Sequence, residues 1–186
     1  SRRQRQMCIR DRAVLAATAS PLWGLYAGFE LFEHVARPGA EEYIDNEKFQ
    51  LRPRDFDGAL ERGESLAPYV TRLNQIRRDH PALGDLQNLT VQATSDDAVV
   101  AYSKTKTVEH GGVEVRDTVI VVVNTDPHAT REATVWLDLD SLDLRDEDFN
   151  EDGSFWVDDL ISGASWKWGS HNYVRLDPYV EPAHVL

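Results

Sequence analysis

The densest concentration of chemistry-bearing side chains is EEYIDNEKFQ, running from Glu41 to Gln50. Carboxylates at Glu41, Glu42, Asp45 and Glu47 lie among the amide of Asn46, the ammonium of Lys48 and the rings of Tyr43 and Phe49. Sugar hydroxyls donate to carboxylates and exchange hydrogen bonds with amides, while the C–H faces of a pyranose stack on aromatic rings, so this mixture suits a carbohydrate. The competing use is plain solvation, which is what a charged loop does more often. The same oxygens would also suit calcium. Neither this segment nor Asp146 to Asp152 has the D-x-[DN]-x-[DN]-G register, however, so no metal site is expected.

Other constellations are sparse. His34, His80, His110, His128, His171 and His184 are scattered, without H-E-x-x-H or any paired ligand spacing, and read as surface or capping histidines. No G-x-S-x-G elbow, Walker loop or dinucleotide fingerprint is present, so neither a serine nucleophile nor a bound cofactor is expected. Trp166, Trp168 and Tyr173 offer a possible sugar-stacking platform, with both tryptophans on one face of a strand. Packing inside a β-sandwich is the commoner use of such aromatics.

These residues sit on two unlike stretches. AVLAATASP and LWGLYAGFELF are apolar at nearly every position, as strand and turn segments buried on both faces are, with Ala13 to Ala19 fitting the end of a buried strand or a short helix. Gly24 and Gly28 flank Leu25-Tyr26-Ala27 and mark a tight turn or a close backbone approach. His34 to Phe56 is a long polar loop punctuated by Pro38-Gly39 and Pro53. Leu66, Tyr69, Val70, Leu73 and Ile76 then recur at spacings of three and four, which predicts an amphipathic helix over Ser65 to Asp79 closed by His80-Pro81.

Beyond Gly84 the period becomes two. TVQAT, AVVAYSKT, VEVRDTVIVVVN, EATVWLDL, FWVDDLISG, ASWKW and NYVRL are separated by Asp96-Asp97, Gly111-Gly112, Asp126-Pro127, Asp152-Gly153 and Ser162-Gly163. Short strands with turn signals this regular predict an antiparallel sandwich. Val119 to Val123 lacks alternation and is expected at the sheet's centre, and SLDLRDEDFNEDG reads as a solvated acidic insertion.

The composition narrows the partners. The chain has 186 residues, 20 basic and 32 acidic side chains and a net charge of −12. That balance argues against a nucleic-acid surface, which needs clustered Lys and Arg to displace counterions. No apolar run approaches the roughly 20 residues that span a bilayer, so no membrane partner is expected. The basic run Ser1 to Arg12 precedes an apolar run of about seven residues, and Trp23 to Phe32 stays apolar and aromatic beyond it, which is unlike a secretory signal. Back-translated, RRQRQMCIRD fits a sequencing adapter, so residues 1–12 are expected to be a non-native leader. That stretch holds five of the basic groups and one acidic group, leaving 15 against 31, a net of −16 for the remainder. It also holds Met7 and Cys8, the lone Met and Cys, so no internal disulfide is possible.

The run PLWGLYAGFELFEHVARPGAEEYIDNEKFQLRPRDF resembles the last barrel strand and following loop of the maltose-1-phosphate maltosyltransferases of glycoside hydrolase family 13. Members read like S-P-x-Y-G-x-Y-x-G-F-E-L-x-E, then G-x-E-E-Y-x-D-x-E-K-Y. Amylase and trehalose synthase relatives tend to carry Gly-Asp-Glu where this chain has Gly28-Phe29-Glu30. The departures are Trp23 for a Tyr, Ala40 for a frequent Ser and Phe49 for a Tyr, the last removing a hydroxyl. The resemblance implies an α+β fold class: residues 13–84 as the last strand, loop and helix of a (β/α)8 barrel, and residues 85–186 as the amylase-type C-terminal antiparallel all-β sandwich.

It also implies a cytoplasmic, homodimeric retaining enzyme whose partners are α-maltose 1-phosphate and α-1,4-glucan. The three catalytic acids of the family precede Ala13, so the chain carries none of them. Lys48 matches the Lys of the E-K-Y motif and is expected to hydrogen-bond the donor sugar. Asp45, Glu47 and Tyr43 are expected to hold the loop, with Asn46 and Phe49 as weaker candidates, and Glu30 to face the active-site end of the barrel. Two alternatives remain open: a hydrolase or trehalose-forming relative of the same superfamily, and a stand-alone carbohydrate-binding sandwich using Trp166 and Trp168.

Overall fold

A computed structural model describes residues 2–33, 35–39, 44 and 51–186. The chain divides into two compact units, Ser1–Trp23 with Arg72–Leu186, and Gly24–Thr71.

The larger unit is built on antiparallel sheet. Among the described residues eight strands are formed: β1 (Leu89–Thr94), β2 (Val99–His110), β3 (Val113–Asn124), β4 (Arg131–Trp136), β5 (Phe155–Asp158), β6 (Ser165–Trp168), β7 (His171–Leu176) and β8 (Ala183–Val185). Six of them form one sheet in the order β7-β4-β1-β2-β3-β8, and β5 pairs with β6 in a second. The strands expected from period-two patterning are all present, and the breaks between them fall at the expected turns. β2 and β3 pair continuously from Val99↔Asn124 to His110↔Val113. The hairpin turns on Gly111 and Gly112, whose φ values of 62° and 80° belong to the left-handed region that a two-residue primed turn requires. β8 was not legible as a strand. Its three residues pair with Val121–Val123 and are extended by reciprocal bonds between Ile120 and Leu186, each at 2.8 Å.

The core follows strand parity. Val99 and Ala101, Ile120 and Val122, Ala133 and Val135, and Val174 and Leu176 point from the large sheet onto Phe155, Val157 and Trp168 of the small one. Val119 to Val123 is buried throughout, as its unbroken apolar run requires. Its place differs from expectation: β3 lies second from the edge, not at the centre. Both faces are buried because helix α1 (Arg2–Ala19) covers the side away from the core. The acidic insertion is also less solvated than its charge suggests, since Leu142 is buried and Leu144 and Phe149 pack against the core.

Ala13 to Ala19, expected as the end of a buried strand or a short helix and assigned by the resemblance to a barrel, is the last part of α1. A strand needs neighbours for its N–H and C=O groups, whereas a helix closes them within itself, and this stretch is rich in Ala, the strongest helix former. Its burial is as expected, through one helical face made by Ala13, Val14, Ala17 and Thr18. Thr18 Oγ1 donates to the Val14 carbonyl at 2.6 Å and shares a 2.5 Å hydrogen bond with the Tyr102 hydroxyl on β2. Burial, only partly offset by that bond, pushes the Tyr102 phenol up to about 12. The helix ends at Ser20-Pro21, where the Arg77 guanidinium bonds the carbonyls of Ala17, Ser20 (2.9 Å) and Pro21 (2.6 Å). A cation there satisfies carbonyls that a helix C-terminus leaves free.

Arg77 belongs to α3 (Ala67–Asp79), which matches the predicted helix. Ser65 Oγ accepts the Ala67 N–H at 3.1 Å to start it, Leu66, Val70, Leu73 and Ile76 are buried, and His80-Pro81 ends it. In the smaller unit α2 (Phe56–Glu61) is a short helix that the periodicity did not reveal, capped by Asp55 through the Gly58 N–H at 2.9 Å.

Candidate functional site

Of the residues expected to touch substrate, Glu30 is the one the structure describes. It lies in a 3-10 turn, Phe29–Leu31, where its Oε2 accepts the Gly28 N–H at 3.1 Å and its carbonyl accepts the Leu66 N–H at 2.8 Å. Gly28 has φ 105°, and a Cβ there would run into the Glu33 carboxylate, so glycine is required. Phe32 ends the turn in the left-handed region at φ 57°, an uncommon conformation for a bulky residue. Tyr43, Asp45, Asn46, Glu47, Lys48 and Phe49 lie outside the described residues.

What is described is the pair of chain segments on either side of them. Glu33 and Arg54 form a two-pronged bridge, Nε to Oε1 at 2.9 Å and the terminal nitrogen to Oε2 at 3.1 Å, with Arg52 at 3.5 Å from Oε2. The hydrogen bond from Arg54 outweighs partial burial and holds the Glu33 carboxyl below its ordinary value. The Ile44 N–H also reaches the Val35 carbonyl at 2.7 Å. Glu33 and the two arginines, which lie on either side of EEYIDNEKFQ in the sequence, are thereby held together. Motif reading missed Glu33, Arg52 and Arg54. The signal available was an acid just before the long loop and two arginines near its end.

The β unit carries a second polar centre. Asp159 is buried, with Oδ1 accepting the N–H groups of Ile161 (3.1 Å) and Val185 (3.2 Å), and Oδ2 facing the Ser162 hydroxyl (2.6 Å) and His184 Nδ1 (3.2 Å). Ser162 bonds the acid and not the imidazole, so no activated serine results. The histidines at 80 and 184 are partnered by the carboxylates of Asp117 and Asp159, and the His80 side chain makes no cap bond to the 3-10 turn that follows it. Among the described residues no group of three His, Cys, Asp or Glu side chains is placed to hold a metal.

The tryptophan platform divides. Trp168 is 6% exposed within the core and Trp166 packs against it, edge-on to His184 with ring centroids 5.0 Å apart. Together with Tyr173, which is exposed on β7, both indoles line one cleft of about 420 Å³ that also takes in His171 and His184. The most exposed indole of the β unit is Trp156 at 61%, ahead of Trp136 at 38%, and motif reading passed over both. No helix among the described residues is long and apolar enough to cross a membrane.

The chain is similar to curated proteins named α-1,4-glucan:maltose-1-phosphate maltosyltransferase. It is 51% identical over 176 residues to that of Mycolicibacterium smegmatis, 50% over 176 to that of Corynebacterium glutamicum, and 51% over 176 to the second such protein of Streptomyces coelicolor. Each alignment covers 94% of this chain and 24% of the relative, so the chain spans about a quarter of their length. A family model described as GLGE, C-terminal, matches residues 91–186. That match takes in β2 to β8 and most of β1, and since it extends over more than half of its residues, the chain belongs to the GLGE, C-terminal family.

Proposed function

We propose that the chain is the C-terminal portion of a retaining enzyme of glycoside hydrolase family 13. The enzyme transfers maltosyl units from α-maltose 1-phosphate to the non-reducing end of an α-1,4-glucan and releases phosphate. The observation that carries this reading is the 51% identity over 94% of the chain to a relative of that name. Retention uses two carboxyl groups about 5 to 5.5 Å apart, one forming the glycosyl-enzyme and the other serving as acid and then base. Those groups, and a third acid that steadies the transition state, lie in the part of the enzyme preceding Ala13, so this chain is not catalytic alone.

Within the whole enzyme, residues 13–84 complete the barrel and residues 85–186 form the sandwich that follows it. Neighbouring barrel strands would then supply Ala13 to Ala19 with the partners that α1 supplies to itself here. Residues 1–12 are a leader foreign to the enzyme. Lys48 hydrogen-bonds the donor sugar, Asp45, Glu47 and Tyr43 shape the loop around it, and Glu30 lies at the mouth of the last strand, where barrel active sites open. The enzyme works in the cytoplasm as a homodimer.

The test is phosphate release from α-maltose 1-phosphate with glycogen, using the full-length protein. Release is expected, and substituting Lys48→Ala is expected to raise KM for the donor about tenfold, the worth of one charged hydrogen bond. A full-length protein that releases no phosphate is not this enzyme, and phosphate release accompanied by free maltose in place of a lengthened glucan would make it a hydrolase.

A further inference from the structure

Strand β5 reads FWVD, and its alternation sends Phe155 and Val157 into the core and leaves Trp156 61% exposed. Beside this indole is a cleft of about 530 Å³ lined by Glu114, Arg116, Asp143, Arg145, Glu147 and Asp148. That volume falls in the range of small-ligand sites, roughly 300 to 1,000 Å³.

The polar groups are fixed by one another. Arg116 donates to the Asp143 carbonyl at 2.6 Å and to Asp148 Oδ2 at 2.8 Å, and stands 3.7 Å from Glu147 Oε1. Asp148 Oδ2 also accepts the Arg145 N–H at 2.8 Å, while the Arg145 side chain reaches Glu114 Oε1 at 2.7 Å. The hydrogen bond from Arg116, ahead of the one from the Arg145 backbone, holds the Asp148 carboxyl below its ordinary value. Lys167 Nζ stands 5.5 Å from the Trp156 ring centroid and helps to orient it. Within this frame Glu147 is 73% exposed, and Glu114 and Arg145 also keep acceptors and donors facing water.

A preorganised frame of carboxylates and guanidinium groups next to an exposed indole matches a pyranose, with hydroxyls for the frame and a C–H face for the ring. The charge decides among ligands. Four acids against two arginines leave the lining net negative, which disfavours phosphates and nucleic acid and suits an uncharged sugar. We propose that this cleft binds a stretch of neutral α-1,4-glucan, with Trp156 as the stacking surface and Glu114, Arg145 and Glu147 as the hydroxyl partners. The choice of glucan rests on the function proposed above. In the whole enzyme such a contact would raise the local concentration of acceptor chain ends.

The 186-residue chain itself is the material for the test, by native gel electrophoresis with and without glycogen. Glycogen is expected to slow its migration. Trp156→Ala should weaken the apparent affinity about tenfold, as loss of an aromatic anchor does, and Trp156→Phe should restore part of it. Because the indole is exposed, both variants should keep the wild-type near-ultraviolet circular dichroism from the other four tryptophans. If Trp156→Ala does not fold, Trp156→Phe and Glu147→Gln carry the comparison. Unretarded migration, retardation that ignores these substitutions, or equal retardation by the β-1,3-glucan laminarin would each overturn the site. None of those results bears on phosphate release by the full-length protein. Absence of that release, with Trp156-dependent retardation intact, would overturn the parent function and leave the site standing.

Discussion

Asp159 illustrates how a single side chain couples the strands of the β unit. Burial pushes its carboxyl up, but the bonds from His184, Ser162 and the Ile161 N–H outweigh that and leave it below its ordinary value. Between the folded and unfolded values the folded chain binds fewer protons than the unfolded one. The contribution is therefore complete above about pH 4, the unfolded value, and is lost as pH falls through the folded one. Asp159→Asn is expected to cost about 2 kcal/mol at pH 7, the net worth of a charged hydrogen-bonded group. In urea unfolding from pH 7 down to pH 3 the wild type should lose its advantage over the variant as the pH drops, whereas parallel curves would rule the carboxylate out as the cause. Half of this was readable: the alternation Phe155, Val157, Asp159 puts the acid inside. Its partner His184 lies 25 residues away and has no local signature.

Among the elements, the loop anchor at Glu33 and Arg54 bears most directly on function. An arginine fork on a carboxylate fixes direction as well as distance, which a lysine cannot do. On the proposed function, Arg54→Ala in the full-length protein should lower kcat/KM for phosphate release about tenfold, the effect of misplacing a binding loop, with Arg54→Lys intermediate. Unchanged kinetics in Arg54→Ala would remove the anchor from the substrate site. The same level shows why some elements were legible and others were not. α3 announces itself through Leu66, Val70, Leu73 and Ile76, and the β2–β3 hairpin through Gly111-Gly112. β8 is three residues long, too short to carry a period, and exists because Val121–Val123 offers it an edge. A mostly apolar run such as Ala13 to Ala19 fits a strand or a helix equally, and available partners choose between them.

Taken as a molecule, the chain has unequal halves. The β unit buries a cluster running from Val99 to Leu186, while the buried apolar residues described in Gly24–Thr71 are Phe32, Ala59, Leu66 and Val70. Amide exchange should be slowest in β2 and β3 and on the order of a hundredfold faster across Gly24–Thr71, because opening cost follows buried contact. Uniform protection would contradict this. Ala13, Val14 and Ala17 and the apolar side of α3 are also buried.

Residue order alone was sufficient for the acidic charge, the strand periods, the turn positions and the family, since each depends on neighbours along the chain or on matching motifs. Tertiary structure decided which indoles face inward and which outward, the helical state of Ala13 to Ala19, the place of β3, and the pairings Asp159 with His184 and Glu33 with Arg54. Those depend on which distant segment arrives to take up a face, an edge or a charge. Trp156 and Trp168 are the same residue type on paired strands, and only the packing of one sheet over the other makes one of them core and the other a surface.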